Sequence, residues 1–135
     1  MRPDYSEGVR LFVVRHAEAA PGDPDELRPL TEAGRATARA LGDRLAAEQI
    51  DAVVSSPLLR ARETADAIAR AAHTQADADE RLAPGAGVEE LTAAVAGRGE
   101  AVVAVGHQPD CSEIVFALTG RETQFPPGGV AELSL

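Results

Sequence analysis

Residues 9–16, Val-Arg-Leu-Phe-Val-Val-Arg-His, are a short apolar run that stops at a charged pair. Runs of branched aliphatic residues bounded in this way predict a buried β-strand. Arg15 and His16 would then stand at the carboxyl end of that strand, where open α/β sheets hold their functional groups. A surface pair that merely ends a strand is the alternative interpretation of this dipeptide taken alone.

Two later segments repeat the pattern. Residues 52–54 form an apolar run that is soon followed by Arg60, and the run 101–105 ends at Gly106-His107. Because the carboxyl ends of parallel strands meet at one edge of a sheet, the repetition predicts a shared site. Four side chains would form it: Arg15, His16, Arg60 and His107.

The remaining periodic segments predict helices between these strands. Thr31 is placed to cap the first helix, and Ser56-Pro57 is placed to begin the second. The predicted helices span residues 33–48, 57–72, 88–95 and 110–118, and a last strand, at an edge or antiparallel, spans 130–135. The stretch 74–87 is polar and rich in turn formers, and no strand is expected there. This order predicts a single α/β domain over residues 1–135, a three-layer α/β/α sandwich around a mostly parallel sheet.

Composition and charge limit the classes of partner. The net charge of -9 argues against nucleic acid, whose binding depends on Lys and Arg neutralising the phosphate backbone. No stretch approaches the roughly 20 apolar residues that cross a bilayer, and residues 1–7 lack the apolar segment of a signal peptide. A cytoplasmic protein without a membrane partner is therefore expected. The sequence leaves the oligomeric state open, and a monomer is compatible with it.

Metal and thiol chemistry find little support in the sequence. The three histidines lie far apart, and no metal-ligand spacing is present. Asp23 and Asp25 lie in a turn-rich segment with two prolines and are interpreted as solvated turn residues rather than metal ligands. Cys111 is expected to be a small buried hydrophobe, because no anion-binding loop closing with an arginine follows it. We expect neither a metal nor a cofactor.

The four residues predicted at the edge of the sheet are suited to binding a phosphoryl group. Such a group needs fixed cations, hydrogen-bond donors and a nucleophile in line with the leaving group. Arg15 and Arg60 offer forked donors to phosphate oxygens. A neutral ring nitrogen of His16 can attack phosphorus, and His107 can donate to the phosphate oxygens.

Four stretches of the chain resemble the histidine phosphatase superfamily, also called phosphoglycerate mutase-like, and within it the small SixA-type phosphohistidine phosphatases. They occur in the family's order and cover most of the chain. The stretches are Leu11–Ala19 (LFVVRHAEA), Arg28–Gly34 (RPLTEAG), Ser55–Ala65 (SSPLLRARETA) and Val103–Pro109 (VAVGHQP).

This resemblance implies roles for the four residues predicted at the edge of the sheet. His16 would be the phosphorylated nucleophile, and Arg15, Arg60 and His107 would form the phosphate pocket. The chain departs from the family at Ala17, where glycine is frequent, and it lacks a clear equivalent of the glutamate that serves larger members as general acid. Glu18 is a possible general acid and equally an entrance carboxylate.

The leading hypothesis is a metal-independent phosphatase that acts on a phosphorylated protein, most of all on phosphohistidine. A phosphorylated imidazole can leave as a neutral ring without a general acid, whereas an alkoxide needs a proton. The alternatives are a small-molecule phosphatase of the same superfamily, acting on a phosphorylated metabolite, and a weakly catalytic phosphate-binding interaction module.

Overall fold

A five-stranded sheet forms the centre of the molecule in the computed structural model, which describes residues 8–135. Residues 1–7, on which the expectation about a signal peptide rests, lie outside the described residues. The strands are β1 (Arg10–Arg15), β2 (Ala52–Ser55), β3 (Ala76–Ala78), β4 (Ala101–Gly106) and β5 (Val130–Ser134), and their order in the sheet is β3-β2-β4-β1-β5.

Within residues 8–135, four α-helices and two 3-10 helices lie between the strands. The α-helices are α1 (Glu32–Ala46), α2 (Leu59–Ala71), α3 (Val88–Val95) and α4 (Asp110–Thr119), and the 3-10 helices span Asp25–Leu27 and Glu80–Leu82. Within residues 8–135, no helix is both long and apolar enough to cross a bilayer.

The sheet has a separate hydrophobic core on each face, as the alternating side chains of β1 illustrate. Phe12 and Val14 point to the face covered by α1 and α2, where they join Leu41 and Ile68. Leu11 and Val13 join the core on the opposite face, which α3 and α4 cover. Successive residues of a strand point to opposite faces, so a strand buried on both sides reads as a continuous apolar run. The predicted three-layer α/β/α sandwich is confirmed.

The pairing of the strands matches the predicted mostly parallel sheet. β4 lies between β1 and β2 and pairs in parallel with both, and β3 extends the sheet beyond β2. β5 pairs antiparallel with β1 at the edge, as predicted for the last segment. The parallel strands β1, β2 and β4 therefore end at one rim.

Two local predictions are wrong. The stretch 74–87 contains β3, a strand of three residues that is exposed at two of them. Helix α2 begins at Leu59 rather than at Pro57, and Leu58 occupies the capping position without a side-chain bond. The Ser56 hydroxyl instead accepts a hydrogen bond from the Leu58 backbone N–H at 3.2 Å, which holds a turn that precedes the helix.

Helix α1 begins where the sequence predicts. The Thr31 hydroxyl accepts a hydrogen bond from the Gly34 backbone N–H at 2.9 Å, which makes Thr31 the N-cap. Ala38, Leu41 and Leu45 are buried, as their helical spacing predicts. This helix and α2 pack against each other over the same face of the sheet.

Candidate active site

The ends of β1 and β4 bring the two predicted histidines together. Arg15 is paired with Gly106 in the parallel register, and the His16 backbone N–H donates to the Gly106 carbonyl at 3.0 Å. His16 and His107 thus follow equivalent positions on neighbouring strands. Their ring centroids lie 5.3 Å apart, with the ring planes inclined by 61°.

One hydrogen bond determines which nitrogen of His16 is free to react. Nδ1 lies 2.7 Å from the Ala17 carbonyl oxygen, and because a carbonyl only accepts, Nδ1 carries the proton and donates. In the neutral ring, Nε2 then keeps an unprotonated lone pair. Burial lowers the pKa of His16 below its usual value, and the nearby Arg60, Arg15 and Arg28 guanidinium groups lower it further, against the raising effect of the Ala17 bond. The neutral nucleophilic form of the ring is favoured.

His107 is buried beside the same cations. Its Nε2 is hydrogen-bonded to the Ser56 hydroxyl at 2.8 Å, and Ser56 itself is fully buried at the end of β2. Burial is the main cause that lowers the pKa of His107 to about 4, and the proximity of His16 and Arg60 adds to it. The three strand ends therefore position His16, His107 and Ser56 as one connected group.

Arg15 is held by the segment that leads into β5. Its Nη1 donates to the Phe125 carbonyl at 3.0 Å, and Phe125 is buried in the core beneath. Its Nε is buried and has no hydrogen-bond partner within residues 8–135. A buried donor without a partner is costly in free energy, so Arg15 has donor capacity available for an anion.

Arg60 is buried in the first turn of α2 and is also partly bonded. Its Nη1 donates to the Asp25 carbonyl at 2.9 Å, and its Nη2 donates to Asp25 Oδ2 at 3.1 Å. A guanidinium group has five N–H donors, so these two bonds leave others for a ligand. The structure places Arg15, His16, Arg60 and His107 together, as the sequence predicts.

Thr64 connects the loop after β1 to helix α2. Its buried hydroxyl accepts from the Ala17 backbone N–H at 3.0 Å and donates to the Arg60 carbonyl at 2.9 Å. Ala17 is fully buried and packs with Leu30 and Ala38, so the Cβ at this position is accommodated. The segment that carries His16 is therefore bonded to the turn that carries Arg60.

The Glu18 carboxylate is bonded to Thr31 and not to the histidines of the site. Its Oε1 accepts a hydrogen bond from the hydroxyl of Thr31, the N-cap of α1, at 2.7 Å, and Glu18 itself is exposed in the loop after β1. None of its hydrogen bonds in the described structure reaches His16, His107, Arg15 or Arg60. Its suggested role as a general acid stays a prediction.

Cys111 is buried among apolar side chains of α4, as its sequence context indicates. Burial is the main cause that raises the pKa of its thiol to about 12, and the neighbouring Asp110 carboxylate adds to the effect. The thiolate is the nucleophilic form of cysteine, so this thiol is inert at neutral pH.

Comparison with known proteins identifies the family. The model of the histidine phosphatase superfamily (branch 1) matches residues 11–87, which is more than half of the chain. The chain belongs to this superfamily. The matched region contains Arg15, His16 and Arg60, and His107 lies beyond it on β4.

Individual relatives of this histidine phosphatase place it near the SixA proteins. SixA from Agrobacterium tumefaciens is 30% identical with a TM-score of 0.80, over 94% of this chain and 92% of that chain. A protein histidine phosphatase SixA complexed with tungstate is 26% identical with a TM-score of 0.83, over 94% of this chain and 88% of that chain. An uncharacterized protein of Picosynechococcus is 34% identical, covering 93% of this chain and 84% of its own length. The chain is thus a SixA-type phosphatase with the phosphoglycerate mutase-like fold.

Sequence reasoning missed two residues of the site in this phosphatase. Arg28 lies close enough to lower the pKa of His16 and is fixed by donating from Nε to the Ala20 carbonyl at 2.8 Å. Asp25, interpreted as a solvated turn residue, binds both Arg28 and Arg60. The signal for Arg28 was its position in the RPLT motif, whereas an acid in a turn gives no signal of this kind.

Proposed function

We propose that this phosphatase works through a phosphorylated His16, with Arg15, Arg60 and His107 holding the phosphoryl group. The observation that carries the proposal is the bond from His16 Nδ1–H to the Ala17 carbonyl, which leaves Nε2 with its lone pair beside the guanidinium groups. A module that only binds phosphate would need the cations but not a nucleophile in this tautomer.

The proposed reaction has two displacement steps. In the first, His16 Nε2 forms a bond to phosphorus while the bond to the leaving group breaks, and the electron pair of that bond goes to the leaving atom. In the second, a water oxygen bonds to phosphorus and the phosphorus–nitrogen bond breaks, returning the pair to Nε2. The product is dihydrogen phosphate, which then ionises. Arg15 and Arg60 stabilise the charge on the phosphoryl oxygens in both steps.

The leaving group favours protein phosphohistidine as the substrate. A phosphorylated imidazole with a proton on its other nitrogen leaves as a neutral ring, so no acid is needed, whereas a serine or sugar phosphate leaves as an alkoxide that must be protonated. Within residues 8–135, no carboxyl group is hydrogen-bonded to either imidazole. Glu18 is the candidate acid for substrates that need one.

A radiolabelled substrate tests the covalent intermediate. Incubation with 32P-labelled phosphohistidine protein, followed by rapid denaturation at alkaline pH, should trap label on the wild-type enzyme and none on His16→Asn. His73→Asn is the matched control, because His73 is exposed at the end of α2 and has no place in the site. Label on His16→Asn at the wild-type level would contradict the proposal.

Comparison of substrates tests the proposed specificity. The value of kcat/KM should be higher for a phosphohistidine peptide than for the same peptide with phosphoserine. Equal values, or a preference for phosphoserine, would contradict the proposal. Faster turnover of a compound in a panel of phosphorylated metabolites would instead assign the enzyme to small molecules.

A further inference from the structure

Asp25 bridges two arginines that lie near His16. Its Oδ2 is 3.1 Å from Arg60 Nη2, and its Oδ1 is 3.0 Å from Arg28 Nη1. Its backbone carbonyl accepts a third bond, from Arg60 Nη1 at 2.9 Å. Both oxygens of one carboxylate therefore contact guanidinium groups that lie near His16.

The position of this carboxylate is on the solvent side of Arg60. The Asp25 side chain is 59% exposed, whereas that of Arg60 is 9% exposed. Hydrogen bonds from Arg28, and to a smaller extent from Arg60, lower the pKa of Asp25, so its carboxylate is ionised at neutral pH. Its charge reaches into the pocket, since it acts on His107 in the opposite sense to the arginines. Asp25 is thus a fixed negative charge on the solvent side of Arg60, and its influence extends to His107.

This charge affects the two ends of a substrate differently. It repels the phosphoryl group, which Arg15 and Arg60 bind in the proposed mechanism. It would attract a positive charge on a leaving group that lies toward solvent while the phosphoryl group is bound. A dianionic phosphate ester gains nothing from this carboxylate, whereas a phosphoramidate with a protonated nitrogen is favoured by it.

We propose that Asp25 is a specificity-determining residue that selects phosphoryl donors whose leaving group carries a positive charge, such as the imidazolium of phosphohistidine. The inference rests on the proposed function and deepens it, because it names the residue that distinguishes phosphoramidates from phosphate esters. The leaving nitrogen takes the electron pair of the broken bond and departs as a neutral group. Asp25 therefore attracts the positive charge of the leaving group in the ground state and in the early transition state, before that charge is lost.

Two small substrates test this directly. Phosphoramidate ion, whose nitrogen is protonated at neutral pH, is compared with phenyl phosphate, whose leaving group is a phenolate. In Asp25→Asn, the ratio of kcat/KM for phosphoramidate to kcat/KM for phenyl phosphate should fall about tenfold, the size of effect expected for one partly screened charge. Asp23→Asn, which removes the same charge from the same loop, should keep the wild-type ratio.

The ratio separates charge selection from mere positioning of the arginines. If Asp25 only holds Arg28 and Arg60 in place, both substrates lose activity equally, the ratio is unchanged, and the proposal is overturned. Asp25→Glu, which keeps the charge, should retain much of the wild-type ratio. Added salt should lower the ratio measured for the wild-type enzyme. The failure of the proposed function is recognised separately, by turnover of phosphoramidate that survives in His16→Asn.

Discussion

The imidazole rings of His16 and His107 lie edge to face, with their centroids 5.3 Å apart. Two imidazolium charges at this distance, beside several guanidinium groups, would repel one another, and burial further disfavours them. The free protein therefore keeps both rings neutral, which suits a nucleophile at His16. In the proposed mechanism, the positive charge that binds the phosphate comes from the arginines.

The lowered pKa of His107 predicts a loss of stability in acid. Its pKa is about 4 in the folded protein and about 6.5 when unfolded, so between these values the unfolded chain binds more protons. Stability that is fully present above pH 6.5 is lost as the pH falls toward 4. In His107→Gln, the melting temperature should fall less steeply than in the wild type between pH 6.5 and pH 4. An equal decrease of the melting temperature with pH in the two proteins would contradict this role of His107.

Between elements, the buried hydroxyl of Thr64 is one of the connections from α2 to the loop after β1. Thr64→Val keeps the shape of the side chain but leaves the Ala17 N–H unpaired in the interior. A buried donor without a partner costs about 1–3 kcal/mol, and kcat should fall because His16 is no longer held against the turn of Arg60. Chemical denaturation and steady-state kinetics measure the two effects.

A second threonine provides the control for this prediction. Thr37 is exposed on α1, so Thr37→Val should leave both the free energy of unfolding and kcat near the wild-type values. An equal effect of the two substitutions would show that the Thr64 hydroxyl has no special part in the site.

The first turn of α1 approaches the loop after β1 closely at Gly34. A Cβ at this position would overlap the Glu18 carbonyl oxygen, which belongs to the loop that follows His16. Gly34→Ala should therefore destabilise the protein by about 1–3 kcal/mol, the usual range for overpacking. At Gly22, by contrast, an added Cβ would meet only Arg28 Cγ at 3.5 Å, so Gly22→Ala serves as the control. Equal denaturation midpoints for the two variants would contradict this account.

Elements with strong local patterns could be predicted from the sequence, and those without them could not. β1 and β4 are buried on both faces, so their apolar runs and the polar residues after them located the site. β3 is a short Ala-Asp-Ala segment, and its strand conformation depends on pairing with β2 rather than on its own residues. Asp25 was missed for a related reason, because its partner Arg60 lies on a distant helix and only the folded chain brings them together.

At the scale of the whole molecule, an acidic chain with a net charge of -9 carries a locally basic pocket. In the proposed mechanism, Arg15 and Arg60 supply the positive charge that many phosphatases obtain from bound metal ions. Phosphatase activity should therefore be unchanged after extended treatment with EDTA, measured on phosphohistidine peptide with a metal-dependent phosphatase as the positive control. A loss of activity that added Mg²⁺ or Zn²⁺ reverses would contradict the proposed metal independence.

The place of β1 between β4 and β5 has a consequence for biosynthesis. His16 directly follows β1, and the two strands that flank β1 in the sheet, β4 and β5, are both synthesised after it. Until β4 has emerged from the ribosome exit tunnel, β1 has no strand to pair with. Contacts between residues so far apart in the sequence delay formation of the sheet. Catalytic competence should thus arise abruptly once β4 and β5 have emerged, rather than growing in proportion to the length already synthesised.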